Sequence, residues 1–184
     1  TGFTAYENLS KSNSDRYQYV LPYYDFSKNF FNNNLATLNF TSQGDNILKD
    51  TNSLRSRIIN NLNVQSFDYI SNNGLKNNLN YYFKNTISAG KNNDEYESSP
   101  EIKLMNILEV VSSFPLISKS ENFIDYLNPK LSFRINPSEM KDNNSQIRQI
   151  NTENIFNINR LGLNDTFESG QNLTLGLDYK KEKI

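Results

Sequence analysis

Residues 154–180 read N-I-F-N-I-N-R-L-G-L-N-D-T-F-E-S-G-Q-N-L-T-L-G-L-D-Y-K, and the second half of this stretch alternates without a break. Leu173, Leu175, Leu177 and Tyr179 fall on one side; Asn172, Thr174, Gly176, Asp178 and Lys180 fall on the other. A period of two predicts a strand with one apolar and one polar face. The part before it, dense in Asn, Gly, Asp and Glu, reads as a turn-rich connection. Water-soluble β-proteins and membrane barrels share this pattern. The fold therefore depends on whether the apolar face meets a protein core or lipid.

Moving outward from this stretch, the same alternation recurs. Leu131, Phe133 and Ile135 alternate with Ser132 and Arg134, and a polar loop over 138–150 leads back to 154. Over 101–113, Ile102, Leu104, Leu108 and Val110 oppose Lys103, Met105, Ile107, Glu109 and Val111. The β-branched residues and the bracketing Pro100 and Pro115 favour strand over helix there. Leu54, Ile58, Leu62 and Val64 oppose Arg55, Arg57, Ile59, Asn61, Asn63 and Gln65. After Asn73-Gly74, a type I′ hairpin signal, the return strand sets Leu75, Leu79, Tyr81, Phe83 and Ile87 against Lys76, Asn78, Asn80, Tyr82, Lys84 and Thr86. Residues 89–100 read as a solvent loop and 116–128 as irregular.

Nearer the N-terminus, Tyr17, Tyr19, Leu21 and Tyr23 share one face, and Pro22, which cannot donate to a ladder, predicts a bulge. Residues 34–42 make a weaker strand ahead of a polar turn over 43–52, and 2–9 a strand with neither face apolar. The expectation is an all-β antiparallel meander of about seven to nine long strands. It forms one domain over 1–184, with no second domain and no internal repeat.

Composition narrows the function. Mean hydropathy is −0.70 and no run approaches the roughly 18 apolar residues of a spanning helix, yet a barrel strand needs only about 9–11 residues with every second one apolar. His and Cys are absent, which removes most general-base, thiol and zinc chemistry, so neither an enzyme nor a metal or cofactor site is expected. A net charge of −1 gives no reason to expect nucleic acid as a partner. Asn is about one residue in six, and a biased genome explains this as readily as function does. The chain opens Thr-Gly-Phe-Thr-Ala, already strand-like, and reads as an internal piece of an exported protein.

The second faces carry cations. Arg55, Arg57, Lys76, Lys84, Lys103 and Arg134 all stand opposite aliphatic residues. In a β-sandwich that side is the solvated exterior, where these cations only solvate or pair with carboxylates such as Glu109 and Asp178. In a wide barrel it is a water-filled lumen.

One stretch carries a family resemblance. Asn159-Arg160-Leu161-Gly162, then Asp165, Glu168 and Gly170, then a strand ending Gly176-Leu177-Asp178-Tyr179, resemble the C-terminal barrel region of the LPS-assembly protein LptD family. Its members carry N-L-F-x-x-N-R-F-x-G-x-D-R-x-E-x-G ahead of an alternating strand. Here Gly162 sits one place early and Thr166 replaces the Arg after the Asp, so no role of that Arg carries over. Weaker likenesses follow in order at Leu21-Pro22, at Leu54-Arg55-Ser56-Arg57 and at Pro129-Lys130-Leu131.

The resemblance implies a bacterial outer-membrane barrel that inserts lipopolysaccharide into the outer leaflet. It also implies an LptE-like lipoprotein plug in the lumen, and a periplasmic jelly-roll domain, outside this chain, that meets the periplasmic Lpt bridge. Lipopolysaccharide would meet the six cations, and Asn159, Arg160, Gly162, Asp165, Glu168 and Gly170 would shape a loop or bind the plug. An Arg160 pair with Asp165 or Glu168 is expected. Two other classes remain open: another outer-membrane barrel, such as a porin or nutrient receptor, and a soluble extracellular sugar-binding β-sandwich.

Overall fold

The computed structural model describes residues 1–11, 13–140, 149–162 and 167–184 and contains ten strands. They are β1 (Gly2–Glu7), β2 (Tyr17–Asn32), β3 (Ala36–Lys49), β4 (Ser53–Ser66), β5 (Tyr69–Ile70), β6 (Lys76–Lys91), β7 (Glu101–Ser113), β8 (Leu116–Lys119), β9 (Phe123–Asn136) and β10 (Gly170–Lys183). They form one antiparallel sheet in the order β1-β2-β3-β4-β6-β7-β9-β10, with β5 on β6 and β8 on β9. The path does not close: β1 and β10 are its two ends. No helix among the described residues is long and apolar enough to cross a membrane.

The chain divides into two compact units. One comprises Thr1–Phe30, Leu38–Leu62 and Phe83–Leu104; the other comprises Phe31–Thr37, Asn63–Tyr82 and Met105–Ile184. In the second unit β9 and β10 pair without interruption from Asn136↔Gly170 to Phe123↔Lys183. β7 pairs with β9 only from Leu108↔Ile135 to Ser113↔Lys130, and β8 takes over at Leu127. Pro129 sits where β9 changes neighbour, the one place in the strand where a missing N–H breaks no ladder.

Burial along the strands is the reverse of a water-soluble sheet. On β10, Leu173, Leu175 and Leu177 are 61%, 72% and 64% exposed, whereas Thr174 between them is 5% exposed. On β9, Leu131 and Phe133 are exposed while Ser132, Arg134 and Asn136 are buried. On β7, Ile102, Leu104, Leu108 and Val110 are exposed, and Met105, Ile107 and Glu109 are buried. The covered positions of β6 are Asn80, Tyr82, Lys84, Thr86, Ser88 and Gly90. The alternation read from sequence is there, and the polar side is the covered one.

Four expectations change. Pro22 does mark a bulge, but the bulge also reverses the strand. Thr4 faces Val20 and Gly2 faces Tyr23, so an extra residue lies at Leu21-Pro22. Tyr23 therefore joins the Val20 side rather than that of Tyr19 and Leu21, and Tyr24 takes the Leu21 side. The polar run 43–52 is mostly strand: β3 continues to Lys49, with Asp45 and Ile47 half-buried, and only 50–52 turn. There Asp50 (φ 49°) and Thr51 (φ 63°) both adopt left-handed backbone, unusual for a β-branched residue. Lys11 Nζ pairs with Asp50 at 2.9 Å and the Thr51 hydroxyl donates to Asp15, fastening that turn.

At Asn73-Gly74 only Gly74 has positive φ (87°), so the turn is not type I′. A three-residue loop closes instead, with Gly74 N–H on Ser71 O at 2.9 Å and Ser71 N–H on Leu75 O at 2.9 Å. Finally, 116–128 is not irregular: it supplies β8 and the first half of β9.

The abundance of Asn has a local use. Side-chain oxygens of Asn33, Asn93 and Asn151 each accept two backbone N–H groups two and three residues on, at 2.9–3.2 Å, and so cap three connections.

Candidate functional site

Residues 149–162 and 167–169 return across the polar face of β7, β9 and β10, which brings the family-like motif onto that face. Asn159-Arg160-Leu161-Gly162 is a turn closed by Gly162 N–H on Asn159 O at 3.1 Å, and Gly162 has φ 72°. Gly170, at φ 91°, redirects the chain into β10. Between the two turns, Arg160 reaches Glu168 with two parallel bonds, Nε to Oε2 at 2.6 Å and Nη2 to Oε1 at 2.6 Å.

Arg134 of β9 joins the same carboxylate through Nη2 at 2.7 Å and donates Nη1 to Ile158 O at 3.1 Å. One carboxylate thus holds two buried guanidiniums, a charge-assisted arrangement stronger than any neutral bond in the segment. The Glu168 carboxyl is held below the usual glutamate range, first by the Arg160 hydrogen bonds and further by the Arg134 charge, while burial opposes the shift. The Arg160 guanidinium is pushed up by the same hydrogen bonds. Asp165, the other expected partner of Arg160, lies outside the described residues.

Three further anchors seat the segment. Asn136 Nδ2 donates to Glu168 O at 2.9 Å, and Asn172 Oδ1 accepts from Arg160 Nη1 at 3.3 Å. Phe167, beside Glu168, enters an apolar island of Tyr82, Met105 and Ile107 with Ile158 against it. Phe156 lies over Gly176, where an added Cβ would stand 2.6 Å from two ring atoms. Next to this, Glu109 accepts from Asn80 Nδ2 and from Ser132 Oγ, both at 3.1 Å, so the covered face is hydrogen-bonded from strand to strand.

The first unit holds a second arginine pair. Arg55 and Arg57 of β4 share Asp45 of β3, at 2.8 and 2.9 Å. Buried Tyr96, from the connection after β6, hydrogen-bonds Arg57, and Glu95 stands 4.0 Å from Arg55.

All six expected cations lie on the polar side of their strands, and five of them, Arg55, Arg57, Lys76, Lys103 and Arg134, pair with acids other than Glu109 and Asp178. Lys76 stands 3.9 Å from Asp68, Lys103 pairs with Glu101 at 3.1 Å and Lys84 is buried. Asp178 pairs with Lys130 instead. The structure gathers Arg134 with Arg160 and Glu168, and Arg55 with Arg57. Asn136, Asn172, Phe156 and Asp45 were not singled out by sequence; only the Asp45 role had a signal, an acid set at strand parity opposite two arginines. No group of three or more His, Cys, Asp or Glu able to hold a metal occurs among the described residues. Comparison with protein-family models gives no match for the chain, and none of the curated proteins matches it.

Proposed function

We propose that this chain is wall of an outer-membrane β-barrel, and that the barrel is of the LPS-assembly protein LptD kind, inserting lipopolysaccharide into the outer leaflet. The reversed polarity carries the first part. Leu173, Leu175 and Leu177, with Leu131, Phe133, Leu108 and Val110, form an uncovered apolar face in the second unit, and among the described residues there is no second sheet to bury it. In water such a face is an unpaired interaction surface. In lipid it faces its proper solvent, and the opposite face supplies the hydrated lining. In that setting the free edges of β1 and β10 need further strands, since a bare backbone group in hydrocarbon costs several kcal/mol.

The motif over 154–179 carries the second part, and its in-folded, doubly clamped segment suits a loop that narrows a lumen or grips an LptE-like plug. Among the six cations, Lys76 and Lys103 offer the most open amines to phosphorylated sugars. Arg134 is committed to Glu168. No chemistry on covalent bonds is assigned.

Two measurements test this. The full-length protein should resist carbonate extraction and enter solution only with detergent; a sugar-binding sandwich would stay soluble without it. Depleting it should lower surface lipopolysaccharide. A porin or receptor would leave that level unchanged and alter solute uptake instead.

A further inference from the structure

A polar cleft lies at one end of the first unit, between the β3–β4 turn and the connection that follows β6. Two adjoining hollows of about 150 and 320 Å³ make it up, and Lys49, Ser53, Asn93 and Glu95 line both. The larger is of the size of a small-ligand site.

Its rims are costly to build. Asp50 (φ 49°), Thr51 (φ 63°) and Asn92 (φ 50°) are the non-glycine residues with left-handed backbone among the described residues, and all three stand on these rims. Such backbone persists only where its surroundings hold it, and it gathers at functional sites. The holding contacts here are Lys11 on Asp50, Thr51 on Asp15, and Asn92 Nδ2 on Asn52 O at 3.1 Å, which ties one rim to the other.

Several polar groups in the cleft are unspent. Ser53 is 9% exposed, yet its hydroxyl has no hydrogen-bond partner among the described residues. A buried polar group left unpaired is costly, and folded chains keep few of them. Two residues on in β4, Arg55 has a buried Nε with no partner, although its Nη2 holds Asp45. Asn93 gives its Oδ1 to the backbone N–H groups of Glu95 and Tyr96, which leaves its Nδ2 as a donor. Lys49 is in no ion pair among the described residues.

Charge decides the class of ligand. Lys49 and Arg55 are set against Asp94 and Glu95, while Asp50 is already matched by Lys11. An anion would meet two carboxylates, and a cation would meet an ammonium and a guanidinium. No group of three acids able to hold a metal occurs among the described residues. A neutral polyol suits both sets, because each hydroxyl donates one hydrogen bond and accepts two. Planar carboxylates and amides, here Asp94, Glu95 and Gln18, can each span two neighbouring hydroxyls of a sugar ring.

We infer that this cleft binds a neutral saccharide unit, with Ser53, Lys49 and Asn93 Nδ2 among its hydrogen-bonding groups. The inference stands on the cleft alone and holds whether the opposite face of the sheet meets lipid or water.

Saturation-transfer NMR tests it on the full-length protein, in buffer or in a detergent without a sugar headgroup, whichever dissolves it. The probes are the methyl glycosides of glucose, galactose, mannose and N-acetylglucosamine, and at least one should show transfer. Lys49 is exposed, so Lys49→Met leaves the fold intact and should weaken that glycoside about ten-fold; Ser53→Ala should weaken it about five-fold. Because the Ser53 hydroxyl holds nothing in the free protein, Ser53→Ala should not lower its unfolding temperature. Lys119→Met, on β8, should bind as wild type does. Transfer to none of the four, unchanged affinity in either cleft variant, or a lower unfolding temperature for Ser53→Ala would overturn the inference. So would displacement of the glycoside by inorganic phosphate or by calcium. Carbonate extraction decides the barrel reading separately, whichever of these results is obtained.

Discussion

Replacing Glu168 by Gln tests whether one carboxylate seats the returning segment. It removes a charge that accepts bonds at 2.6, 2.6 and 2.7 Å, and leaves Arg134 and Arg160, 5% and 6% exposed, as buried like charges. Breaking a buried pair costs about 3–5 kcal/mol, and the Glu168 side chain retains 23% exposure, so the lower end, about 3 kcal/mol, applies. At 1.4 kcal/mol per factor of ten, local opening should become about 100-fold more frequent. The loss should stay local, because the β9–β10 ladder does not pass through Glu168. Amide hydrogen exchange on the detergent-solubilised full-length protein reads this directly. Asn157 and Gly162, whose N–H groups bond Asn154 O at 2.8 Å and Asn159 O at 3.1 Å, should exchange about 100-fold faster, with Leu175 unchanged. Unchanged exchange at Asn157 and Gly162, or equal acceleration at Leu175, refutes the reasoning.

The same cluster sets a pH dependence. Because the folded Glu168 carboxyl titrates below its ordinary value of about 4.3, its stabilisation is complete above that pH and is lost as pH falls through the folded value; the exchange gap between wild type and Glu168→Gln should close there. Gly176→Ala should displace Phe156 and loosen the segment by about 1–3 kcal/mol, seen as faster proteolysis between 149 and 162 with β10 intact. Leu175→Arg should cost about 2–4 kcal/mol in a bilayer, measured by urea titration in liposomes, whereas a water-exposed site would change by under about 0.5 kcal/mol.

Much of the sheet was legible because the period of two survives any change of solvent. Leu173 to Tyr179 and Ile102 to Val110 show it plainly, and the parity of Arg55, Arg57 and Arg134 against their aliphatic neighbours placed them on the correct side. What sequence could not supply was register. That Arg134 meets Glu168, 34 residues on, depends on β9 facing β10 with Arg134 opposite Asn172. The strand content of 43–49 was hidden because Gln43, Asp45 and Asn46 look like turn formers, whereas Asp45 is held in the strand by Arg55 and Arg57 of the neighbouring β4. The Asp50-Thr51 turn had no glycine to announce it. Asn73-Gly74 did announce a turn, but flanking Ser71 and Leu75 chose a longer loop.

The bulge at Leu21-Pro22 makes β2 a strand with two phases. Deleting one residue there would leave every hydrophobic side chain present and every later turn untouched. It would also turn the bulge into regular ladder, with Leu21 alone between Val20 and Tyr23, so Asp25, Ser27 and Asn29 would keep their side of the strand and Phe26 and Phe30 theirs. Homologous sequences that differ by a single residue at this point should therefore be aligned with a gap inside the strand, even though gaps are customarily confined to loops.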